Sequence, residues 1–71
     1  MRNEEIVRLQ AYLQDKFELA TLQVRRRAQK DDSCEVYIGD EFIGVIFKDD
    51  EDGDDSYMFE MAILDFDLPT Q

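Results

Sequence analysis

A chain of 71 residues, 44% of them hydrophobic, is long enough for one small domain (residues 1–71) but buries little surface on folding. Its formal net charge of −10 disfavours binding to nucleic acid or to an anionic membrane, because both would repel it. One cysteine and no histidine exclude an intrachain disulfide and argue against the usual zinc and copper sites, which leaves oligomerisation as the way to support a small fold.

The first element is a helix, predicted over about residues 4–18. Asn3 is a suitable N-cap, and apolar residues recur at helical spacing from Ile6 to Phe17. One apolar stripe indicates one buried face. The charged N-terminus has no continuous apolar run, so no signal peptide is expected, and a lone cysteine suits a cytoplasmic location.

Four segments with the composition of strands follow the helix. They span about residues 21–28, 33–38, 41–48 and 56–64, and a tail remains at 65–71. Gly39-Asp40 is a two-residue hairpin turn with glycine first, which suits type II′. This order of elements predicts an α+β fold, with one N-terminal helix packed on a four-stranded antiparallel β-meander.

The pairing registers decide which residues share a face of this sheet. A two-residue turn at Gly39-Asp40 places Tyr37 opposite Phe42. An odd-length loop is expected between the last two strands, because an even-length loop would place Glu60 beside Val45 on the core face, where a carboxylate is costly. With an odd loop in the first hairpin as well, the face beneath the helix holds Val24, Cys34, Val36, Ile43, Val45, Phe59 and Met61.

The opposite, helix-free face is predicted to have an apolar centre and a charged rim. The apolar residues are Tyr37, Phe42, Ile46, Met58 and Ala62, with contacts expected between Tyr37 and Phe42, Phe42 and Ala62, and Ile46 and Met58. The rim residues are Arg25, Arg27, Glu35 and Glu60, with Arg27 opposite Glu35. Protein interfaces are built in this way, although a half-exposed sheet with some apolar side chains also occurs in monomers.

The acidic loop 49–55 and Cys34 could suggest a cation site and a nucleophile, but the residues around them do not favour either function. The acidic loop 49–55 resembles part of an EF-hand, but Lys48 and Phe59 stand where the first and last calcium ligands belong. A solvated hairpin loop is therefore favoured over a cation site. Cys34 lacks the histidine base that a nucleophilic thiol needs, so it is expected to be a small core residue. No catalytic residues, cofactor or metal ligands are assigned, and the protein is expected not to be an enzyme.

The run EVYIGDEFIGVIFKDDEDGDDSYMFEMAILDFDL, together with the N-terminal EEIVRLQAYLQDKF, resembles a family of small alphaproteobacterial proteins, domain-of-unknown-function family 3126. Its most specific parts are EFIGV at 41–45, the Asp52-Gly53 loop that leads into Ser56-Tyr57, and Ile63-Leu64-Asp65. The resemblance covers nearly the whole chain. It implies a bacterial, cytoplasmic source and brings no activity with it.

The sequence therefore favours a small non-enzymatic protein–protein interaction module that homodimerises through the helix-free sheet face. A monomeric adaptor that binds another protein through that face is one alternative. A weak divalent-metal or small-molecule binder that uses the acidic loop 49–55 is another. Neither nucleic acid nor a membrane is expected as a partner.

Overall fold

One helix and four strands make up the fold over the described residues (1–28, 32–49 and 55–70) of a computed structural model. The elements are helix α1 (Asn3–Lys16) and strands β1 (Leu22–Arg26), β2 (Ser33–Ile38), β3 (Glu41–Asp49) and β4 (Ser56–Glu60), followed by a 3-10 turn at Asp65–Asp67. The strands pair antiparallel in the order β1-β2-β3-β4. The predicted α+β meander is confirmed.

Both ends of α1 differ slightly from the prediction. Arg2, not Asn3, is the N-cap, and the Glu5 carboxylate accepts a hydrogen bond of 2.9 Å from the backbone N–H of Arg2. The helix ends at Lys16, because Glu18 takes up a left-handed conformation with φ of 52°. Within the described residues, no helix is long and apolar enough to cross a membrane.

The core lies between α1 and one face of the sheet. Its buried apolar residues are Leu13, Leu22, Val24, Cys34, Val36 and Ile46. Phe17, predicted to belong to this core, is 51% exposed because the helix ends one residue before it, and Leu19 packs against the core instead.

The register of β1 with β2 places Arg25 opposite Glu35 and Val24 opposite Val36. The prediction that Arg27 lies opposite Glu35 is therefore wrong by two residues. Since side chains alternate between faces with a period of two, a shift of two residues leaves every β1 side chain on its predicted face.

A β-bulge in β3 is the largest departure from the prediction. Tyr37 lies opposite Phe42 as expected, but Val36 lies opposite Gly44, so Ile43 is an extra residue in the strand. An extra residue moves every later side chain of that strand to the other face. Beyond the bulge, Ile46 therefore lies on the helix side of the sheet.

The connection between β3 and β4 has an even length, and the predicted odd length is wrong. Ile46 lies opposite Phe59, Phe47 opposite Met58, and Val45 opposite Glu60. The bulge explains the error, because it moves Val45 to the helix-free face. Glu60 beside it is exposed, so its carboxylate has no desolvation cost.

Strand β4 ends at Glu60, four residues before its predicted end. The last pair between β3 and β4 is Val45 with Glu60, and residues 61–64 leave the sheet. A bulge bends the strand that contains it. Residues 41–44 of β3, which lie before and at the bulge, have no partner in β4.

Candidate interaction surface

The helix-free face carries a group of apolar side chains, called here the apolar patch: Tyr37, Phe42, Val45, Phe47 and Met58. Phe42 and Met58 are 51% and 58% exposed, and Phe47 is 38% exposed. The rings of Tyr37 and Phe42 meet edge to face, with centroids 5.7 Å apart. The Tyr37–Phe42 pair lies at one end of this patch and the Phe47–Met58 pair at the other, with Val45 between them.

The residues expected in this patch are partly rearranged. Tyr37, Phe42 and Met58 lie on the helix-free face, but the placement of Ile46 there is wrong, because Ile46 is 2% exposed within the core. Phe47 takes its place opposite Met58. Ala62 lies beyond β4 and is exposed. The signal that could have revealed the change is Gly44, since an isolated glycine within a strand often marks a bulge.

The rim of the patch is basic near β1 and acidic near β4. The Arg25 guanidinium lies 4.0 Å from the centroid of the Tyr37 ring. Arg27 pairs with Glu35 at a long N–O distance of 3.9 Å. The Tyr37 hydroxyl donates a 2.8 Å hydrogen bond to Glu35, and this bond raises the pKa of Tyr37. Glu60, at the β4 side, is exposed.

Residues 61–68, called here the C-terminal arm, are apolar and exposed. The exposed fractions are 53% for Met61, 66% for Ile63, 50% for Leu64, 82% for Phe66 and 54% for Leu68. Two aspartates lie between these residues. The carboxylate of one of them, Asp67, accepts a 3.0 Å hydrogen bond from the backbone N–H of Leu64 and fixes the 3-10 turn.

A cleft of about 1010 Å³ opens between β3 and the arm. Its apolar lining comes from Phe42, Ile43, Val45 and Phe47 on β3 and from residues 61–64 on the arm. Among the described residues, the charged side chains that line it are acidic: Glu41, Glu60 and Asp67. The cleft thus continues the apolar patch along the base of the arm.

The β1 edge of the sheet is covered by two glutamines of α1. The side-chain oxygen of Gln10 accepts a 3.0 Å hydrogen bond from the backbone N–H of Val24. The side-chain amide of Gln14 donates a 2.8 Å hydrogen bond to the carbonyl of Leu22. Covering an edge in this way blocks pairing with another strand. Association through the β1 edge is therefore disfavoured, and the helix-free face remains open.

A buried ionic cluster joins the first turn of α1 to strands β3 and β4 on the helix side of the sheet. Glu5 is 4% exposed, and one of its oxygens lies 2.7 Å from both the Lys48 amine and the Tyr57 hydroxyl. The hydrogen bond from Lys48, followed by those from the Arg2 backbone and Tyr57, holds the pKa of Glu5 well below its usual value. The same bonds to Glu5 raise the pKa of Lys48 and of Tyr57.

The sequence did not reveal this cluster, because the bulge alone brings Lys48 to the helix side. The three side chains satisfy one another, and no described side chain has a buried polar atom without a hydrogen-bond partner. Its geometry is that of a structural anchor between α1, β3 and β4. It does not face the cleft, since none of its members lines that space.

The remaining chemical candidates are Cys34 and the acidic loop. Cys34 is fully buried, with its sulfur 3.4 Å from the Met1 sulfur, and burial raises the pKa of its thiol. A thiol in this setting is unreactive. The described residues contain no group of three potential metal ligands. Residues 50–54 of the acidic loop lie outside the described residues, and so does most of the cation site considered from the sequence.

Comparison with known proteins places the chain in a family without assigning an activity. The family described as "Protein of unknown function (DUF3126)" matches residues 5–67. Searches of curated proteins and of solved structures give no match. The matched segment covers α1 from Glu5 onward, all four strands and the whole arm except Leu68. The chain therefore belongs to the DUF3126 family of proteins of unknown function.

Proposed function

We propose that this protein is a non-enzymatic, cytoplasmic interaction module that forms a homodimer through the apolar patch. The observation that carries the proposal is the exposure of Phe42, Phe47 and Met58 on one sheet face with no helix over it, where Phe47 lies directly opposite Met58 and Phe42 contacts Tyr37. An apolar centre with charged residues around it matches the composition of protein interfaces. Contiguous exposed apolar surface of this kind marks an interaction site.

A second copy of the chain is the simplest partner for the patch. A small domain gains little stability from its own core, and among the described residues six apolar side chains are buried in that core, with others partly buried around them. A surface that meets its own copy about a two-fold axis is complementary to itself without any further adaptation. Because α1 covers the β1 edge, the surfaces left for this contact are the β4 edge and the helix-free face, and the exposed aromatic side chain of Phe42 and the side chains of Phe47 and Met58 lie on the face.

Four of the polar residues with shifted pKa values have positions that suit a structural role and do not suit catalysis. Lys48 and Tyr57 both bond to the Glu5 carboxylate beneath α1, and the thiol of Cys34 is buried. A catalytic group must reach substrate from a cleft. None of these four side chains lines the cleft between β3 and the arm.

The oligomeric state tests the proposal directly. Static light scattering at micromolar concentrations should give the mass of a dimer for the native chain. Met58→Lys places a charge in the patch at a position already 58% exposed, so it should give a monomer with an unchanged far-UV circular dichroism spectrum. Val7→Lys is the matched control, because Val7 is an equally exposed apolar residue on α1. It should remain a dimer.

A native chain that stays monomeric at high micromolar concentration would overturn the homodimer. Equal weakening of the dimer by Met58→Lys and by Val7→Lys would overturn the assignment of the interface to the helix-free face. Retention of a dimer by both variants would have the same consequence.

A further inference from the structure

We infer that the C-terminal arm of each protomer lies across the helix-free face of the other, with apolar side chains in the cleft and its aspartates near Arg25 and Arg27. This inference rests on the proposed homodimer and specifies which segment covers the patch. The occupant of the cleft is thus a second copy of this chain.

The arm exposes large apolar side chains that a contact with another surface would bury. Phe66 is 82% exposed and Ile63 is 66% exposed, although both are large and apolar. The radius of gyration is 13.3 Å, and the longest dimension, 46 Å, is about twice the other two. A compact domain of this length would have a radius of gyration of about 11 Å. Part of the chain therefore lies outside the compact body.

The cleft provides apolar surface next to the place where the arm leaves the sheet. Its floor contains Phe42, Val45 and Phe47, and one of its walls is the protein's own arm, whose place the partner's arm would take on exchange. Its volume of about 1010 Å³ has room for several side chains. Burying exposed apolar groups against one another is favourable in proportion to the area removed from water. Contact between the partner's arm and the floor of the cleft would bury the apolar side chains of both.

Charge decides the direction in which the exchanged arm runs. The cleft side carries Glu41 and Glu60, which would repel Asp65 and Asp67 of a partner. The opposite side of the face carries Arg25 and Arg27. The acidic end of the arm should therefore point toward β1.

Both arginines keep donors for an incoming carboxylate, although Arg25 already donates from Nε and Nη2 to the Gln23 side chain and Arg27 donates from Nη1 to the Ser33 hydroxyl. The ion pair of Arg25 with Asp40 is 3.8 Å long, and that of Arg27 with Glu35 is 3.9 Å long. Their side chains are 42% and 29% exposed. A guanidinium has five N–H donors in a planar fork that suits a carboxylate.

The arm is long enough for this path. Three strand spacings, about 14 Å, combined with a separation of about 10 Å between two sheets packed face to face give a path of about 17 Å, whereas eight extended residues reach about 26 Å. The 3-10 turn at Asp65–Asp67 shortens the arm, but a margin remains. A two-fold axis makes the exchange reciprocal, so that both arms and both clefts are occupied in one closed dimer.

A charge-swap experiment tests the exchange. The arm variant carries Asp65→Lys and Asp67→Lys, and the face variant carries Arg25→Glu and Arg27→Glu. Each should self-associate with a dissociation constant at least about tenfold above that of the native chain, because like charges then meet. Mixing the two variants should restore a heterodimer with near-native affinity. The matched control is Asp15→Lys with Glu18→Lys, which makes the same change of charge in the last turn of α1 and just after it and should dimerise normally.

Each outcome decides the matter. Restoration on mixing supports the exchange. Loss of the dimer in the arm variant but not in the control also supports it when Asp65→Lys alone, which leaves the turn-fixing carboxylate of Asp67 in place, weakens the dimer too. This second result stands even if the face variant fails to fold. An arm variant that dimerises like the native chain, while Met58→Lys does not, would overturn the exchange and leave the homodimer intact. A monomeric native chain would overturn both.

Discussion

A single buried carboxylate connects the first turn of α1 with the end of the sheet. Glu5 is near the N-terminus of α1, where the helix dipole favours negative charge. It also accepts hydrogen bonds from the Arg2 backbone, Lys48 and Tyr57. An ionised group is tolerated inside a protein when it is paired and hydrogen-bonded in this manner. Glu5 therefore stabilises the fold in its charged form.

The charged form of Glu5 makes stability depend on pH. Its folded pKa lies well below its ordinary value of 4.5, so in acid the unfolded chain binds a proton that the folded chain does not. The stabilisation should be fully present above that ordinary value and should be lost as the pH falls further below it. Other carboxyl groups also titrate in this pH range, so the contribution of Glu5 has to be measured against a variant that lacks only its carboxyl group.

Glu5→Gln is that variant, since it keeps the shape of the side chain and removes its titration. Urea unfolding should show the native chain to be more stable than the variant at neutral pH. The difference should shrink steadily between about pH 4.5 and pH 3. A difference that does not change with pH would mean that Glu5 is not the titrating group.

The position of Glu5 could be predicted from the sequence, but its pairing with Lys48 could not. The position of Glu5 in the first helical turn follows from local sequence alone. Its pairing with Lys48 depends on the face on which Lys48 lies, which the bulge at Ile43 reverses. A contact between residues 43 positions apart in the chain cannot be deduced when one intervening register is wrong by a residue.

At the scale of elements, the bulge requires glycine at position 44. A Cβ atom there would lie 2.5 Å from the carbonyl oxygen of Glu60 and 2.7 Å from the Phe59 ring. Backbone cannot move away as a flexible side chain can. Gly44→Ala should therefore lower the free energy of unfolding by about 1 to 3 kcal/mol, the usual cost of overpacking.

Chemical denaturation of Gly44→Ala beside Gly39→Ala measures this effect and separates it from backbone strain. Gly39 has a φ of 60° and no atom within 4 Å of a built Cβ, so its alanine variant reports the conformational cost alone. That cost is about 1 kcal/mol. If Gly44→Ala were as stable as the native chain, the close approach of β4 to Gly44 would be wrong.

The end of α1 contains a residue that is not the best choice for its conformation. Glu18 is left-handed, and the backbone N–H groups of Glu18 and Leu19 bond to the carbonyls of Asp15 and Gln14. This is a Schellman ending, in which glycine is the usual residue because it has no Cβ strain. Glu18→Gly should raise the free energy of unfolding by about 0.5 to 1 kcal/mol.

Thermal denaturation of Glu18→Gly and Glu18→Ala distinguishes the backbone effect from the removal of a negative charge. Both variants lose the carboxylate, but alanine keeps the strained Cβ. A gain of stability in the glycine variant and none in the alanine variant is expected. Equal gains in both would assign the effect to charge.

The elements themselves were predictable to different degrees, and the reasons are physical. The helix, the four strands and their order follow from periodicity and turn residues, which are local properties. The Gly39-Asp40 turn likewise fixed Tyr37 opposite Phe42. The faces of β3 beyond Gly44 were wrong because one extra residue inverts a strand, and the placement of Ile46 in the patch failed with them. Local sequence carries little information about such a residue apart from the glycine itself.

At the scale of the whole molecule, the distribution of charge matches the proposed dimer. Residues 1–30 carry a formal charge of +3 and residues 31–71 carry −13. In the fold this difference places Arg25 and Arg27 on one side of the helix-free face and Glu60 on the other. A face with charges separated in this way can fix the orientation of a partner as well as attract it.

If folding and dimerisation are coupled, the melting temperature must depend on protein concentration. Anything that binds the folded state alone stabilises it by mass action, and a second copy is such a ligand. A hundredfold increase in concentration should raise the melting temperature by about 5 °C or more for a domain of this size. Differential scanning fluorimetry at low and high micromolar concentration measures the shift.

Met58→Lys provides the comparison, because it removes the interface and leaves the core untouched. Its melting temperature should be lower than that of the native chain and should not depend on concentration, whereas Val7→Lys should behave like the native chain. A native melting temperature that is constant across the concentration range would show that each chain folds without its partner. The small core of six buried residues would then be sufficient for stability, and the apolar patch would have no part in the folding of this protein.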